Sequence, residues 1–443
     1  MLWSSSGTYI LTEEKVELSF YIKKQTSNSD PEALILYSTK TSSTIIIPKD
    51  LLESIEKKRI TPEEKQTLKE LGFLVQSRQK ERDEIIHLFD NIKNPYLNIL
   101  LVLNMDCNFS CKYCFEGSSK TGLYMSKHIL NKSMEFIKDE LYKKKASELR
   151  LALYGGEPLL SPELAIESLK KAKTLCENIG INFRASIITN GSLFKKKIVK
   201  ELSQLGLARA RITLDGPPEI HNIFRPFKNG RPSFDIILKN IKESLGIIKA
   251  LEINGNYSKE NYTQFPKLLD LLLKEGITPD KVESIRFEPI IKQTSGMSLY
   301  KGGCLSINEP WVAETSLFLR EEIMKRGYKT KRIEPIFCLI NNKNAFIINI
   351  DGALYKCPGF LGIKEFQIGD IFSGSKEPLV YHPNRWKNEK CSSCIYLPLC
   401  YGGCRYMSYL RYGDLYRLDC QKPFLDQYLD RFIEQDIRYK GIG

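Results

Sequence analysis

The sequence has no long hydrophobic run, and no segment approaches the roughly 18 consecutive apolar residues that a membrane-spanning helix needs. No membrane partner is expected. The first residues, Met1-Leu2-Trp3-Ser4-Ser5-Ser6, lack the basic start and apolar stretch of a secretory signal, so the expected location is the cytoplasm. A basic block is missing too. The formal net charge is +13, but residues 1–95 hold 14 Lys and Arg against 15 Asp and Glu, so the surplus is spread over the rest of the chain. Such a diffuse excess suits an acidic peptide, an acidic electron donor or phosphate as well as it suits nucleic acid.

Cysteine, by contrast, is plentiful: 12 residues in a chain without a secretion signal. Cytosolic thiols are kept reduced, so these point to metal ligation or catalysis and not to a disulfide framework. With 443 residues, 42% of them apolar and 27% charged, two or three domains are expected.

The patterning divides the chain. Residues 16–22, 33–37 and 44–47 read as strands, and 51–58 and 62–71 as helices, the second opened by Thr61 as N-cap with Pro62 behind it. A charged stretch, Gln76 to Glu84, reads as a linker, with a boundary near residue 90. From Leu97 six apolar runs follow: 97–105, 149–154, 182–189, 209–214, 250–257 and 284–289, each but the last trailed by an amphipathic segment. Repeated βα units imply parallel strands with helices outside and chemistry at the carboxyl ends of the strands. The expected class is α/β: a small α+β domain (1–90), a partial (β/α)6 TIM-like barrel (96–292), a bridging region (293–333), a cysteine-rich domain (334–425) and a terminal helix (426–443).

Directly after the first barrel strand stand Cys107, Cys111 and Cys114, with three and then two residues between them. Three thiolates can hold three irons of a four-iron cubane and leave the fourth open to a small molecule, whereas a closed structural site uses four ligands. A zinc site, or cysteines buried as small hydrophobes, is the competing reading. The motif resembles that of the radical S-adenosylmethionine (SAM) superfamily. The resemblance implies that the open iron binds the amino and carboxylate groups of SAM, that Tyr113 lies against the adenine, and that Gly155-Gly156-Glu157-Pro158 receives the methionine amino group. Two glycines permit close backbone approach and a carboxylate can accept from an ammonium. Ser186 and Asn190 share one face of the third strand and could bind ribose or carboxylate. Thr213-Leu214-Asp215-Gly216, with His221 and Arg225 after it, is similar to another family run, and Arg225 could pair with the SAM carboxylate.

The second cysteine set runs Cys338, thirteen residues, Gly352, four residues, Cys357; then Cys391, Cys394, Cys400 and Cys404; then Cys420. This order resembles the SPASM subgroup of the superfamily, and the combined resemblance covers about residues 97–425. It implies two auxiliary four-iron clusters, the outer on Cys391, Cys394, Cys400 and Cys420 and the inner on Cys338, Cys357 and Cys404, hence three [4Fe-4S] clusters in all. Arg332 stands where some members place a further cysteine. Either Cys304 supplies the fourth inner ligand or the position is open to a substrate thiolate. Cys176, on an amphipathic helix, reads as a core residue.

What the resemblance implies for function is a 5′-deoxyadenosyl radical that installs a thioether or carbon-carbon crosslink, or oxidises a side chain, in a ribosomally made precursor peptide. An electron donor such as flavodoxin or ferredoxin would serve it. The first domain looks like the small elements that bind leader peptides by adding a strand. A sulfatase-maturing enzyme is the alternative, but that family carries an aspartate base where this chain has Pro358. A non-catalytic zinc protein binding nucleic acid is the alternative of another class. No catalytic acid or base is assigned.

Overall fold

The structure, a computed structural model, describes residues 16–441 apart from 58, 91–94, 115, 117–120, 293–299 and 336–337. The start of the expected bridging region lies outside the described residues. In the first part β1 (Glu17–Leu18) pairs with β5 (Leu74–Val75), while β2 (Ile22–Thr26), β3 (Ala33–Ser38) and β4 (Thr44–Pro48) form an antiparallel sheet. Helices α1 (Lys49–Glu56) and α2 (Pro62–Glu70) follow it. Thr61 caps α2 reciprocally: its hydroxyl accepts from Glu64 N at 3.2 Å and its N–H donates to the Glu64 carboxylate at 2.8 Å. Alternation along β3 splits its contacts. Leu36 joins a local core with Ile22, Ile47, Ile55, Leu68 and Phe73, while Ile35 and Tyr37 on the other face pack against Tyr396, Leu425, Leu429 and Ile433 near the other end of the chain.

The expected linker is a helix, α3 (Arg78–Asp90). Its charges hid two anchors. Glu81 is buried and accepts from Ser19 Oγ (2.6 Å), Phe20 N (2.9 Å) and Lys40 Nζ (2.7 Å), and Ile85 and Phe89 pack with Trp386, Leu397 and Tyr401. Tertiary contact overrides a polar local sequence here.

The barrel unit alternates β6 (Tyr96–Asn104), α4 (Lys127–Lys144), β7 (Glu148–Gly155), α5 (Pro162–Ile179), β8 (Asn182–Thr189), α6 (Lys196–Gln204), β9 (Leu207–Thr213), α7 (Pro218–Phe224), α8 (Phe234–Ser244), β10 (Ala250–Tyr257), α9 (Phe265–Lys274) and β11 (Ser284–Pro289). All six strands are parallel and adjacent in chain order. The sheet has eight strands, two more than the apolar runs predicted. After α10 (Pro310–Lys325), β12 (Ala345–Ile348) pairs parallel to β6 and β13 (Leu354–Tyr355) pairs antiparallel to β12. The cysteine-rich segment thereby covers the edge of β6, whose ladder groups would otherwise stand unpaired. Beyond it come three short helices, α11 (Glu389–Ser392), α12 (Leu397–Cys400) and α13 (Arg405–Tyr412), and the long α14 (Lys422–Lys440). Among the described residues no helix is long and apolar enough to cross a membrane.

Candidate functional site

At the carboxyl ends of the barrel strands lies a cavity of about 540 Å³. Cys107, Cys111 and Cys114 line it from the loop after β6, Gly155 and Gly156 from the end of β7, and Ile188, Thr189 and Asn190 from β8. The cysteine loop is stitched to the chain after α7: Ser110 N donates to Pro226 O (2.9 Å), Lys112 N to Phe224 O (3.1 Å) and Lys228 N to Asn108 O (2.9 Å). Both glycines are required by packing against that loop. A Cβ on Gly156 would fall 2.1 Å from Asp106 O and one on Gly155, whose φ is +142°, 2.4 Å from Asn104 O.

Glu157 does not face the cavity. Its carboxylate is fully buried and accepts from Thr189 Oγ1 (2.8 and 2.9 Å), Asn190 N (2.7 Å) and Leu159 N (3.0 Å). Burial pushes this carboxyl above its usual range, while those donors pull it back. Glu157 therefore ties the glycine loop to β8, a positioning role in place of the expected ammonium contact. Pro158 opens the short turn behind it. Asn190 does face the cavity: its Nδ2 donates to Asn108 Oδ1 (2.7 Å) and lies 3.8 Å from Cys107 Sγ. Ser186 shares the strand face but sits deeper and outside the cavity wall.

Tyr113 and Arg225 form the opposite wall. The Tyr113 hydroxyl donates to the Asp215 carboxylate and accepts from Arg225 Nη1 (2.8 Å) and Asn256 Nδ2 (2.8 Å). Asp215, buried, also accepts from Asn256 N (2.7 Å), and burial raises its carboxyl against the pull of Arg225. Behind them His221 Nδ1 accepts from Asp215 N (3.1 Å), its Nε2 meets Ser233 Oγ (3.1 Å), and Ser233 Oγ donates to Arg225 O (2.6 Å). That pattern makes Nε2 the protonated nitrogen, and burial, then Arg225, hold His221 well below its ordinary value, so it is neutral. Arg225 is left with a buried Nε that has no partner among the described residues.

A polar inner face was missed in the sequence. β9 directs Arg209, Arg211 and Thr213 inward, β10 Glu252, Asn254 and Asn256, and β11 Arg286 and Glu288; Glu252 joins Arg209 (2.6 Å), Arg211 (2.9 Å) and Arg286 (3.2 Å). The signal was there: each run alternates polar with apolar residues, where a filled barrel interior would be apolar.

The second cysteine set lies around two spaces, with Cys400 in the wall of both. Cys391, Cys394, Cys400 and Cys420 surround one small space, about 20 Å³, beside Lys390 and Lys422. Cys338 and Cys404 line another cavity of about 430 Å³, which shares Arg286 and Glu288 with the first. Cys357 belongs with them: burial raises its thiol, and the neighbouring Cys338 and Cys404 push it the same way. Among the described residues no three Cys, His, Asp or Glu side chains converge tightly enough for a single metal ion. The thiols stand apart around walls. Arg332 lines the second cavity with its Nη2 donating to Ser42 O (3.2 Å), and Cys304 is sealed by backbone bonds to Ile290 and Lys292, its thiol pushed to about 12 by burial. Cys176 is buried in the barrel core.

A sequence profile of the Radical SAM superfamily matches residues 101–272. The chain belongs to the radical SAM superfamily. It is 23% identical over 349 residues to the cysteine-type anaerobic sulfatase-maturating enzyme of Clostridium perfringens, covering 70% of this chain and 89% of that one. Among solved structures, native anSMEcpe with bound AdoMet and Kp18Cys peptide superposes with a TM-score of 0.58 at 20% identity, over 78% of this chain and 98% of that one. Streptococcus suis SuiB bound to precursor peptide SuiA does so with 0.54 at 17% identity, over 91% and 99%. These two likenesses are of fold. The chain is thus a radical SAM enzyme, working with SAM and a [4Fe-4S] cluster. The residues fit those groups: three thiols with no fourth beside them, a cavity of about 540 Å³, and an unsatisfied guanidinium nitrogen in its wall.

Proposed function

We propose that this enzyme is a peptide maturase that installs a crosslink, thioether or carbon-carbon, or an oxidised side chain in a ribosomally made precursor peptide. Cys107, Cys111 and Cys114 would hold the reactive cluster, and Arg225 the SAM carboxylate, its buried Nε having no partner among the described residues. Tyr113 and Asn190 shape the same pocket. When bound, cluster and SAM supply a carbon-centred radical that removes a hydrogen atom from the substrate.

The observation that carries the reading is the shared wall. Pro358, Gly359 and Tyr406 of the cysteine-rich region line the same cavity as the first three cysteines, and Arg286 and Glu288 continue into the cavity of Cys338 and Cys404. A substrate side chain at that junction reaches both sites at once. The auxiliary clusters are assigned to Cys391, Cys394, Cys400 and Cys420, and to Cys338, Cys357 and Cys404. The inner set has no fourth thiol, which leaves a position for a substrate thiolate, where metal binding would deprotonate it.

Two features favour this over sulfatase maturation. Pro358 lines the cavity where a carboxylate base would be needed, and the likeness to SuiB extends over 91% of the chain against 78% for anSMEcpe. In the first domain β2 and β4 form the sheet edges to which a leader strand could add. The test is anaerobic co-expression with a small peptide encoded beside the gene. Loss of two hydrogens from the peptide, read by mass spectrometry, is expected; conversion of a sulfatase peptide to formylglycine instead would overturn the reading.

A further inference from the structure

A third cavity, of about 540 Å³, shares no lining residue with either cysteine cavity, and six lysines face it: Lys143, Lys144, Lys343, Lys356, Lys376 and Lys387. Among the described residues two carboxylates, Asp90 and Glu377, share its wall. Asp90 is taken by Lys387 (2.7 Å), and Glu140, behind the wall, by Lys143 (3.3 Å) and Lys144 (3.7 Å). Lys343 and Lys376 make no side-chain hydrogen bond or ion pair among the described residues. Lys356 is 3% exposed, its ammonium donating to the carbonyls of Asn342 (2.8 Å) and Ala345 (2.6 Å).

We propose that this lysine-lined cavity is the docking site of an acidic one-electron carrier protein that serves the inner cysteine set. This rests on the assignment of Cys338, Cys357 and Cys404 to a cluster. Three observations select the partner. Among the described residues the wall contains no arginine, so it lacks the forked donors that recognise phosphate or carboxylate with fixed geometry; lysines give non-directional charge contact, which speeds and orients a transient encounter. Leu379, 69% exposed, stands on the wall among the charges, as a small apolar contact in a weak protein interface would. The wall is also one loop away from the thiols: Lys356 directly precedes Cys357, and Ile340 and Asn341 follow Cys338 closely. In the step served, the carrier loses one electron and the cluster gains it, with no bond formed or broken.

The test uses the full-length, cluster-loaded protein, an acidic flavodoxin as probe, and the variant K143E/K343E/K376E, whose substitutions lie outside both cysteine cavities. Binding is read from the flavin signal of oxidised flavodoxin, and electron transfer from the oxidation of its hydroquinone. The variant should bind about tenfold or more weakly at low salt, with the difference shrinking as salt rises, and should oxidise the hydroquinone correspondingly slowly. Dithionite, a small reductant, should reduce both proteins alike. Unchanged flavodoxin binding in the variant, no binding to the wild type, or loss of tripolyphosphate binding alone would overturn the proposal, the last marking a small-anion site. No readout involves a peptide, so failure here is separable from failure of the maturase reading.

Discussion

The barrel mouth and the cysteine-rich region both gather thiols, yet they are organised differently. At the mouth, side chains are fixed by other side chains: Glu157 by Thr189 and Asn190, Tyr113 by Asp215, Arg225 and Asn256, His221 by Asp215 and Ser233. The strands behind them run up to 9 residues. In residues 338–420 the regular elements are short, two α-helices of 4 residues, one of 8 and strands of 2 to 4, and the thiols of Cys357, Cys400 and Cys404 are all pushed up by burial, with neighbouring thiols adding to the effect. The first site is built by the protein before anything binds. The second crowds thiols together on short elements, with Lys390 and Lys422 beside four of them, an arrangement that a bound metal cluster would tie down.

The largest effect that would break this comparison is on chemistry. With Cys107, Cys111 and Cys114 all changed to Ala, formation of 5′-deoxyadenosine should fall to background while iron remains in the seven other assigned cysteines. Normal SAM cleavage by that variant would refute the assignment. Next comes iron removal. A chelator should speed amide exchange in residues 338–420 by about a hundredfold, some 2.7 kcal/mol of local stability, while the barrel strands stay protected. Equal loosening of both regions would erase the distinction. A smaller effect falls on Arg225. Changing it to Lys keeps the charge but removes the fork, and should weaken SAM binding roughly ten- to hundredfold, about 1.4–2.7 kcal/mol, with a smaller change in the rate at saturating SAM.

The same contrast explains what could be read in advance. Three of the six apolar runs coincide with their strands residue for residue, 182–189, 250–257 and 284–289, because alternation and βα repetition are local signals. The grouping of the second cysteine set came from the family resemblance, carried over residue by residue, and not from the spacing itself. Failures came where partners are remote. α3 looked like a linker because Glu81, Ile85 and Phe89 find their contacts around Ser19 and Trp386. β12 and β13, too short to signal themselves, form only because the edge of β6 awaits them. Glu157 was expected to meet the ligand because its motif names the residue and not the direction of its carboxylate.

The smallest effect concerns His221, and it sharpens the idea that the mouth is assembled in advance. In the folded protein both ring nitrogens are committed, Nδ1 accepting from Asp215 N and Nε2 donating to Ser233, so a second proton would cost the first bond and place a charge beside Arg225. The folded pKa is therefore depressed, while the unfolded chain titrates near 6.5. As pH falls below about 6.5, the unfolded state takes up a proton that the native state refuses, so stability drops with acid by at most about 1.4 kcal/mol per pH unit from this group. The buried carboxyls of Asp215 and Glu157 act oppositely. Their raised values mean that the native state binds protons more readily than the unfolded one, so acid favours the fold through them, in a window opening below their folded values. Urea denaturation between pH 7 and pH 5 on the wild type and on His221→Asn isolates the histidine, because the carboxyl contribution is common to both. The variant should be less stable at pH 7, having lost the link to Ser233, and should show a flatter decline toward pH 5. A variant whose stability falls with the wild-type slope would mean that His221 takes its proton within the fold, and that the mouth yields where its hydrogen bonds say it is rigid.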